Sequence, residues 1–362
     1  MSDKIEYTKP SKSSDELIAL LEERGLVINN KATAKRFLGM VNYYRLSGYW
    51  YNYQRKALGN CDYPAGLSDR QKEDYENIFF EKVTFENIID IYRFDTKLRS
   101  LCLDALEKIE IACGSVLCEH MCTKYGGYWF TNAEHVKDIF IEKNKLDNDG
   151  NFIFDGRGKK VKEKVKVWGI DCLKERFDKL IDENKKTQCI AHFRQKYNNK
   201  YPPYWIMNTL VTFGLLSKIY ASLKIEDKIN IADRFGLPAS VLESILICLS
   251  NIRNICAHYG RLWNRYIVTP PPDVKFNKKG FNYGMTFGES HKFFPVFYIV
   301  TLMLKVIAPD SKWCSLVRRQ IMNFQDKTSR GFGRDSLVSF EKMGFPVGWE
   351  DYPLFEEMLE NE

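Results

Sequence analysis

Apolar residues recur at three- and four-residue intervals along most of this chain, the spacing of helices that bury one face. Between Ser14 and Glu23 the apolar side is Leu17, Ile18, Leu20 and Leu21; between Lys31 and Asn42 it is Phe37, Leu38, Met40 and Val41. The longest run opens at Thr84, a residue suited to capping a helix, and reaches about Lys124. Its apolar positions include Phe85, Ile88, Ile89, Tyr92, Leu98, Leu101, Leu106 and Ile109, and Gly126-Gly127 ends it. Tyr204 to Leu223, entered through Pro202-Pro203, predicts another helix. The run after Pro238 predicts one more, with Ser240 and Glu243 at capping-box spacing. Phe294–Ile307 and Cys314–Phe324 read the same way, and the aromatic tail from Met343 to Trp349 reads as a closing segment.

Three stretches break the helical period. Residues 1–13 are polar, and residues 57–75 read as a loop. Residues 128–200 are the least regular. There Phe152-Ile153-Phe154 leads into Asp155-Gly156, a turn signal, and Lys159 to Val167 alternates lysine with valine apart from Glu163. This predicts a β-hairpin carrying the densest positive patch of the chain, with Lys159, Lys160, Lys162 and Lys164 in it. Such lysines can contact a phosphate backbone, or can simply keep an exposed strand from pairing with other chains. The expected organisation is an N-terminal helical region over residues 1–75 and a helical core over 76–310. The core holds a β-containing insertion at about 128–200, and a C-terminal helical segment follows over 311–362.

Composition narrows the class. The chain is 44% hydrophobic and 14% aromatic, enough to fold around a large core. A net charge of +7 allows an anionic partner without requiring one. The ten cysteines follow no disulfide framework; Cys102, Cys113, Cys118, Cys248 and Cys256 fall in apolar helical sequence, where a thiol packs as a small hydrophobe. No uninterrupted apolar run reaches the roughly 18 residues of a membrane span. A reducing cytoplasm and no membrane are the expectation. No metal or cofactor is expected either. Cys118 and Cys122 share a helical face, but His120 lies on the other side, and there is no Gly-rich phosphate loop, nucleophile elbow or paired-carboxylate metal motif.

The chemistry concentrates in Ser250–Arg265, which holds Arg253, Asn254, His258, Arg261 and Arg265 with no lysine or carboxylate among them. An arginine can stabilise a phosphorane and a histidine can move a proton near neutral pH. On an ideal helix Leu242, Ile245, Leu246, Leu249, Ile252 and Cys256 form a core stripe, and Arg253 falls on it. A buried arginine needs a carboxylate or phosphate; Glu107 or Glu110 of the long helix is the candidate. Asn251, Asn254 and His258 form a second, polar face, which Arg261 and Arg265 join if the helix continues. Arg253 and His258 then point about 140° apart. They can serve one phosphate if the helix end loosens or if a second copy completes the site, which implies a homodimer. A further cluster, Asn42 to Tyr51, puts five aromatics beside Arg45. Tyr44 and Arg45 can stack bases there, or the rings can pack the segment onto the bundle.

These residues resemble the Abi-like abortive-infection proteins (the AbiD/AbiF group) of the HEPN superfamily. The resemblance rests on Arg253-Asn254-Ile255-Cys256-Ala257-His258 followed by Arg261-Leu262-Trp263-Asn264-Arg265, and runs from about residue 15 to the C-terminus. Asn42 to Tyr49, Phe85-Glu86 through Asp95 and Arg99, and Glu107 to Ile111 agree with it. So do Phe213-Gly214 with Ser217, and Met343-Gly344-Phe345-Pro346 with Trp349. Gly114 and Asn208-Thr209 depart from it, where members often have a basic residue and a glutamate. The resemblance implies a mainly α, HEPN-type helical bundle with helical extensions at both ends and the small β-hairpin as an insertion. It implies a metal-independent endoribonuclease, a toxin-like effector of phage defence that leaves 2′,3′-cyclic phosphate ends. Arg253, Asn254 and His258 are then catalytic, and Arg261, Arg265, Tyr44, Arg45 and the hairpin lysines contact RNA. A structured noncoding RNA is an allowed partner. Two other readings stay open: an RNA-binding protein that does not cut, and a toxin held by a protein antitoxin.

Overall fold

The computed structural model describes residues 10–58, 63–147, 150–274, 283–332 and 340–360. Among these residues the chain is mainly helical, with one two-stranded antiparallel ribbon. In chain order the elements begin with α1 (Ser14–Glu23), α2 (Lys31–Val41), α3 (Tyr43–Trp50), α4 (Asp69–Glu76) and α5 (Phe85–Tyr125). The ribbon follows, β1 (Ile139–Asn144) and β2 (Lys162–Trp168). Then come α6 (Ile170–Glu183), α7 (Gln188–Lys196), α8 (Tyr204–Met207), α9 (Phe213–Ser222), α10 (Ile225–Asp233) and α11 (Ala239–Ala257). The last are α12 (Phe293–Ile307), α13 (Trp313–Phe332) and α14 (Pro353–Glu360).

Local chemistry sets most of these boundaries. At α5 the Thr84 hydroxyl accepts from the Asn87 N–H at 3.2 Å, and Asn87 Oδ1 accepts from the Thr84 N–H at 2.8 Å. This reciprocal cap starts a 41-residue helix, about 60 Å long at 1.5 Å per residue. Gly126, at φ +83°, stands just past its end.

The structure departs from the sequence pattern in five places. The stretch 57–75 is not all loop: Ser68 and Gln71 form a capping box that starts α4. The irregular stretch holds α6 and α7. The span from Tyr204 to Leu223 is two helices, broken between Met207 and Phe213. Ser240 and Glu243 form no capping box, because α11 already begins at Ala239, and Glu243 pairs with Lys228 at 2.8 Å. Finally, the lysine-rich strand β2 pairs with β1, from Ile139 opposite Trp168 to Asn144 opposite Lys162. The Asp155-Gly156 turn is present, but Phe152 and Phe154 make only isolated bridges, to Leu146 and Lys160. A strand's own alternation cannot name its partner, since every ladder bond is non-local.

The chain divides into two compact units, each assembled from separate segments. One comprises residues 1–101, 255–266 and 315–347. Its aromatic centre is Trp263, fully buried, with Phe94, Phe324 and Phe340 around it at ring distances of 5.6, 5.5 and 6.1 Å. The other comprises 102–254, 267–314 and 348–362. It has one aromatic cluster of Trp129, Phe130, Phe177 and Tyr204, and a second in which Phe297 meets Trp313, Trp349 and Phe355.

Candidate active site

The Arg253–Arg265 stretch lies on the last turn of α11 and the segment after it. The core stripe of α11 forms as its spacing dictates: Leu242, Ile245, Leu246, Leu249, Ile252 and Cys256 are each at most 2% exposed. By length and composition α11 could cross a membrane, but this stripe is taken up by the protein's own core. Asn251, Asn254 and His258 are exposed. Asn251 donates to Thr269 Oγ1 at 2.8 Å.

The helix does not continue through Arg261. The Gly260 N–H donates to the Ile255 carbonyl at 2.8 Å, and the Tyr259 N–H donates to the Cys256 carbonyl at 3.1 Å. This crossed pair is a Schellman closure, with Tyr259 in the left-handed region at φ +58°. His258 is therefore the C-cap residue, the last on the helix axis. A Cβ on Gly260 would lie 3.1 Å from the Ile255 carbonyl oxygen and 3.2 Å from its Cγ2, so glycine suits the position. Among the described residues none hydrogen-bonds the His258 ring, which leaves it open to a ligand.

Within the second unit, Arg253 sits at the margin of the core stripe rather than in the core, with its side chain 37% exposed. Its Nε lies 3.9 Å from Glu110 of α5, and its Nη1 donates to Asn254 Oδ1 at 3.4 Å. Glu107 stays exposed, so Glu110 is the carboxylate beside the guanidinium. Burial pushes the Glu110 carboxyl upward; the Arg253 charge and the Phe213 N–H, which it accepts, pull it down. That N–H opens α9. Glu110 thus ties the start of α9 to the arginine.

In the first unit, a different residue organises the segment after His258. Asp95 of α5 is completely buried. It accepts from the Tyr49 hydroxyl at 2.6 Å, from the N–H groups of Leu262 at 3.1 Å and Trp263 at 2.6 Å, and from the Arg99 guanidinium. Burial pushes its carboxyl upward, against Arg99 and the other donors. Every neighbour is a donor, so the side chain is held as a carboxylate. Asp95 and Arg99 were visible in the sequence as an i, i+4 pair, but no role could be given them. The available signal was an acid set among Ile91, Phe94 and Leu98, where the pattern demands apolar side chains.

This anchoring changes the meaning of Arg261 and Arg265. Arg261 does not extend the polar face of α11; its guanidinium donates to the Gly48 carbonyl, and burial lowers its pKa. Arg265 is half-buried and donates to the Arg261 carbonyl at 3.3 Å. Most of the aromatic segment around Tyr44 is packing. Tyr49 and Trp50 are each 2% exposed, while Tyr44 and Arg45 face solvent. Arg45 donates to the Tyr259 carbonyl at 2.6 Å and so braces the left-handed turn from outside.

The sequence profile of one family, Abi-like protein, matches residues 36–264, from α2 through this anchored segment. The chain belongs to the Abi-like protein family. Membership implies a role in abortive infection, a defence against phage. No curated protein and no solved structure matches the chain. The two departures of this Abi-like chain are neighbours in space: a Cβ on Gly114 would lie 3.2 Å from Asn208 Oδ1. Cys118 and Cys122 lie with sulfurs 4.0 Å apart, while His120 turns away to Asp227 at 2.9 Å. Among the described residues no three His, Cys, Asp or Glu side chains group as a metal site. Lys159, Lys160, Lys162 and Lys164 are all exposed on the ribbon and its turn; Lys162 meets Glu142 at 3.1 Å, and Lys164 stands opposite the same glutamate in the register.

Proposed function

We propose that the protein is a metal-independent endoribonuclease, the toxin-like effector of an abortive-infection system. The observation that carries this reading is the end of α11, where Arg253, Asn254 and His258 occupy the last turn and the cap. Glu110 neighbours the arginine, and the imidazole is open to solvent.

In this scheme His258 takes the proton of a ribose 2′-hydroxyl. The 2′-oxygen attacks the adjacent phosphorus, and the bond from phosphorus to the 5′-oxygen breaks. Negative charge gathers on the non-bridging oxygens, where the Arg253 guanidinium offsets it. The 5′-oxygen leaves with a proton, from the imidazolium of the same or a second copy. The products are a 2′,3′-cyclic phosphate and a 5′-hydroxyl. Asn254 is one residue from Arg253 and four from His258, so it can orient either group. Arg253 and His258 project about 140° apart on the helix, which favours a site completed across a homodimer. A structured noncoding RNA is the regulatory partner in this reading.

The test is to incubate wild-type protein, Arg253→Ala and His258→Ala with end-labelled RNA, with and without EDTA. Cleavage by the wild type alone, unchanged by EDTA and ending in cyclic phosphate, supports the scheme. Cutting that EDTA abolishes and His258→Ala spares would refute it. Tight RNA binding without cutting would mark a binding protein instead.

A further inference from the structure

The ribbon insertion has a second property that its lysines alone do not reveal. Side chains of paired strands alternate between two faces, and residues directly opposite share a face. In the observed register Phe140 faces Lys166, Glu142 faces Lys164 and Asn144 faces Lys162. The isolated bridges extend the same face, pairing Leu146 with Phe152 and Phe154 with Lys160. One face of the arm therefore carries Lys160, Lys162, Lys164 and Lys166 in a single row, with Phe140, Phe152 and Phe154 beside it and one carboxylate, Glu142, on the same face. The other face carries Ile141, Lys143, Glu163 and Val165.

The rings on the lysine face are not core. Phe140, Phe152 and Phe154 are 52%, 46% and 55% exposed. The Lys160 ammonium stands over the Phe152 ring, 3.6 Å from its centroid. From Arg157 to Trp168 the chain carries six cations against one carboxylate, Glu163, which the alternation places on the opposite face. The cations are not fully spent within the fold: Lys162 meets Glu142 and Lys166 meets Asp138, but Lys164 has no ion pair among the described residues. The row from Lys160 to Lys166 spans about 20 Å at roughly 3.3 Å per residue.

Phenyl rings at this exposure leave apolar surface in water, and lysines close by repel one another. Both penalties vanish against a ligand that is a polyanion with flat apolar groups along it. We propose that this face binds RNA through unpaired nucleotides, with bases stacked on Phe140, Phe152 and Phe154 and phosphates against the lysine row. A duplex hides its base faces and would offer only phosphates. A membrane surface would take rings gathered at one tip, whereas here rings and cations interleave along the arm. The inference rests on the reading of the protein as an RNA-directed enzyme and names how that RNA is held.

The test measures binding of the full chain to a fluorescein-labelled 2′-O-methyl single-stranded 20-mer, which cannot be cut. A blunt duplex of the same length and vesicles of phosphatidylserine and phosphatidylcholine serve as comparisons. Two variants are needed, Phe140→Ala/Phe152→Ala/Phe154→Ala and Lys160→Ala/Lys162→Ala/Lys164→Ala, each checked by circular dichroism. The Phe variant is expected to bind the single strand about tenfold or more weakly, with its salt dependence unchanged and its duplex affinity little altered. The Lys variant is expected to lower the slope of log affinity against log salt by about 2, roughly 0.7 per lost contact. The inference falls if either variant binds as the wild type does, if the Phe variant loses duplex and single strand equally, or if only vesicle binding is lost. Cleavage kinetics separate this result from the enzymatic reading: the arm variants should raise KM and spare kcat, while His258→Ala should lower kcat and spare affinity. Unchanged affinity in the arm variants beside an inactive His258→Ala would sink the arm alone.

Discussion

Replacing Asp95 by alanine removes the acceptor on which four donors converge. Arg99, whose side chain is 6% exposed, would keep Tyr49 and Thr96 as hydrogen-bond partners but lose its carboxylate. Leaving one member of a buried ion pair behind costs about 3–5 kcal/mol. The N–H groups of Leu262 and Trp263 would also be orphaned, at about 1–3 kcal/mol each if no water reaches them. These terms overlap, and a total of about 4–6 kcal/mol is expected, a large share of the roughly 5–15 kcal/mol that holds a typical domain. Asp95→Asn keeps the shape and one acceptor but turns an amide toward donors, so a loss of about 2–3 kcal/mol follows. Urea denaturation gives the totals. Amide hydrogen exchange at Leu262 and Trp263 gives the local effect, since both amides should lose protection in Asp95→Ala. The decisive comparison adds Arg99→Met. If the damage comes from an unpaired charge, Asp95→Ala/Arg99→Met will be more stable than Asp95→Ala alone. A double variant as damaged as the sum of the singles, or a loss below about 1 kcal/mol in Asp95→Ala, would refute the account of Asp95 as the anchor.

Four further outcomes follow. Arg253→Ala should lower the rate of RNA cleavage by about a hundredfold or more while leaving thermal stability nearly unchanged, because the guanidinium is half-exposed and loosely paired. Tyr259→Gly should raise stability by about 1 kcal/mol, read from the melting temperature, because it removes the left-handed strain of a non-glycine residue whose ring is 68% exposed. Gly260→Ala should lower it by about 1 kcal/mol, as its methyl group presses on Ile255. Asp227 gives a pH signature. Burial raises its carboxyl, but Lys124, His120 and Tyr125 donate to it at 2.7, 2.9 and 3.1 Å and bring it below the ordinary range. A depressed folded pKa contributes stability above the unfolded value of about 3.9 and loses it as pH falls through the folded one. The stability gap between wild type and Asp227→Asn should therefore be constant above about pH 5 and shrink on acidification, measured by urea melts from pH 6 to 3.

Much of the scaffold was legible in the residues alone. The limits of α1, α2, α5 and α12 follow from caps and from apolar spacing within a few residues, since a helix satisfies its backbone locally. The core stripe of α11 was legible for the same reason, and with it the exposure of Asn254 and His258. Tertiary structure decided what depends on partners distant in sequence. It paired β2 with β1, set Glu110 rather than Glu107 beside Arg253, and brought Tyr49, Leu262 and Trp263 to Asp95 across 46, 167 and 168 residues. It also ended α11 at a tyrosine in the left-handed region, a conformation that sequence rules assign to glycine. With the helix closed there, Arg261 turns to the Gly48 carbonyl and becomes a brace for the segment instead of an extension of the polar face. Short-range chemistry wrote the helices into the sequence; the convergence of charged and backbone groups around Asp95 and Arg253 arises only when the chain is packed.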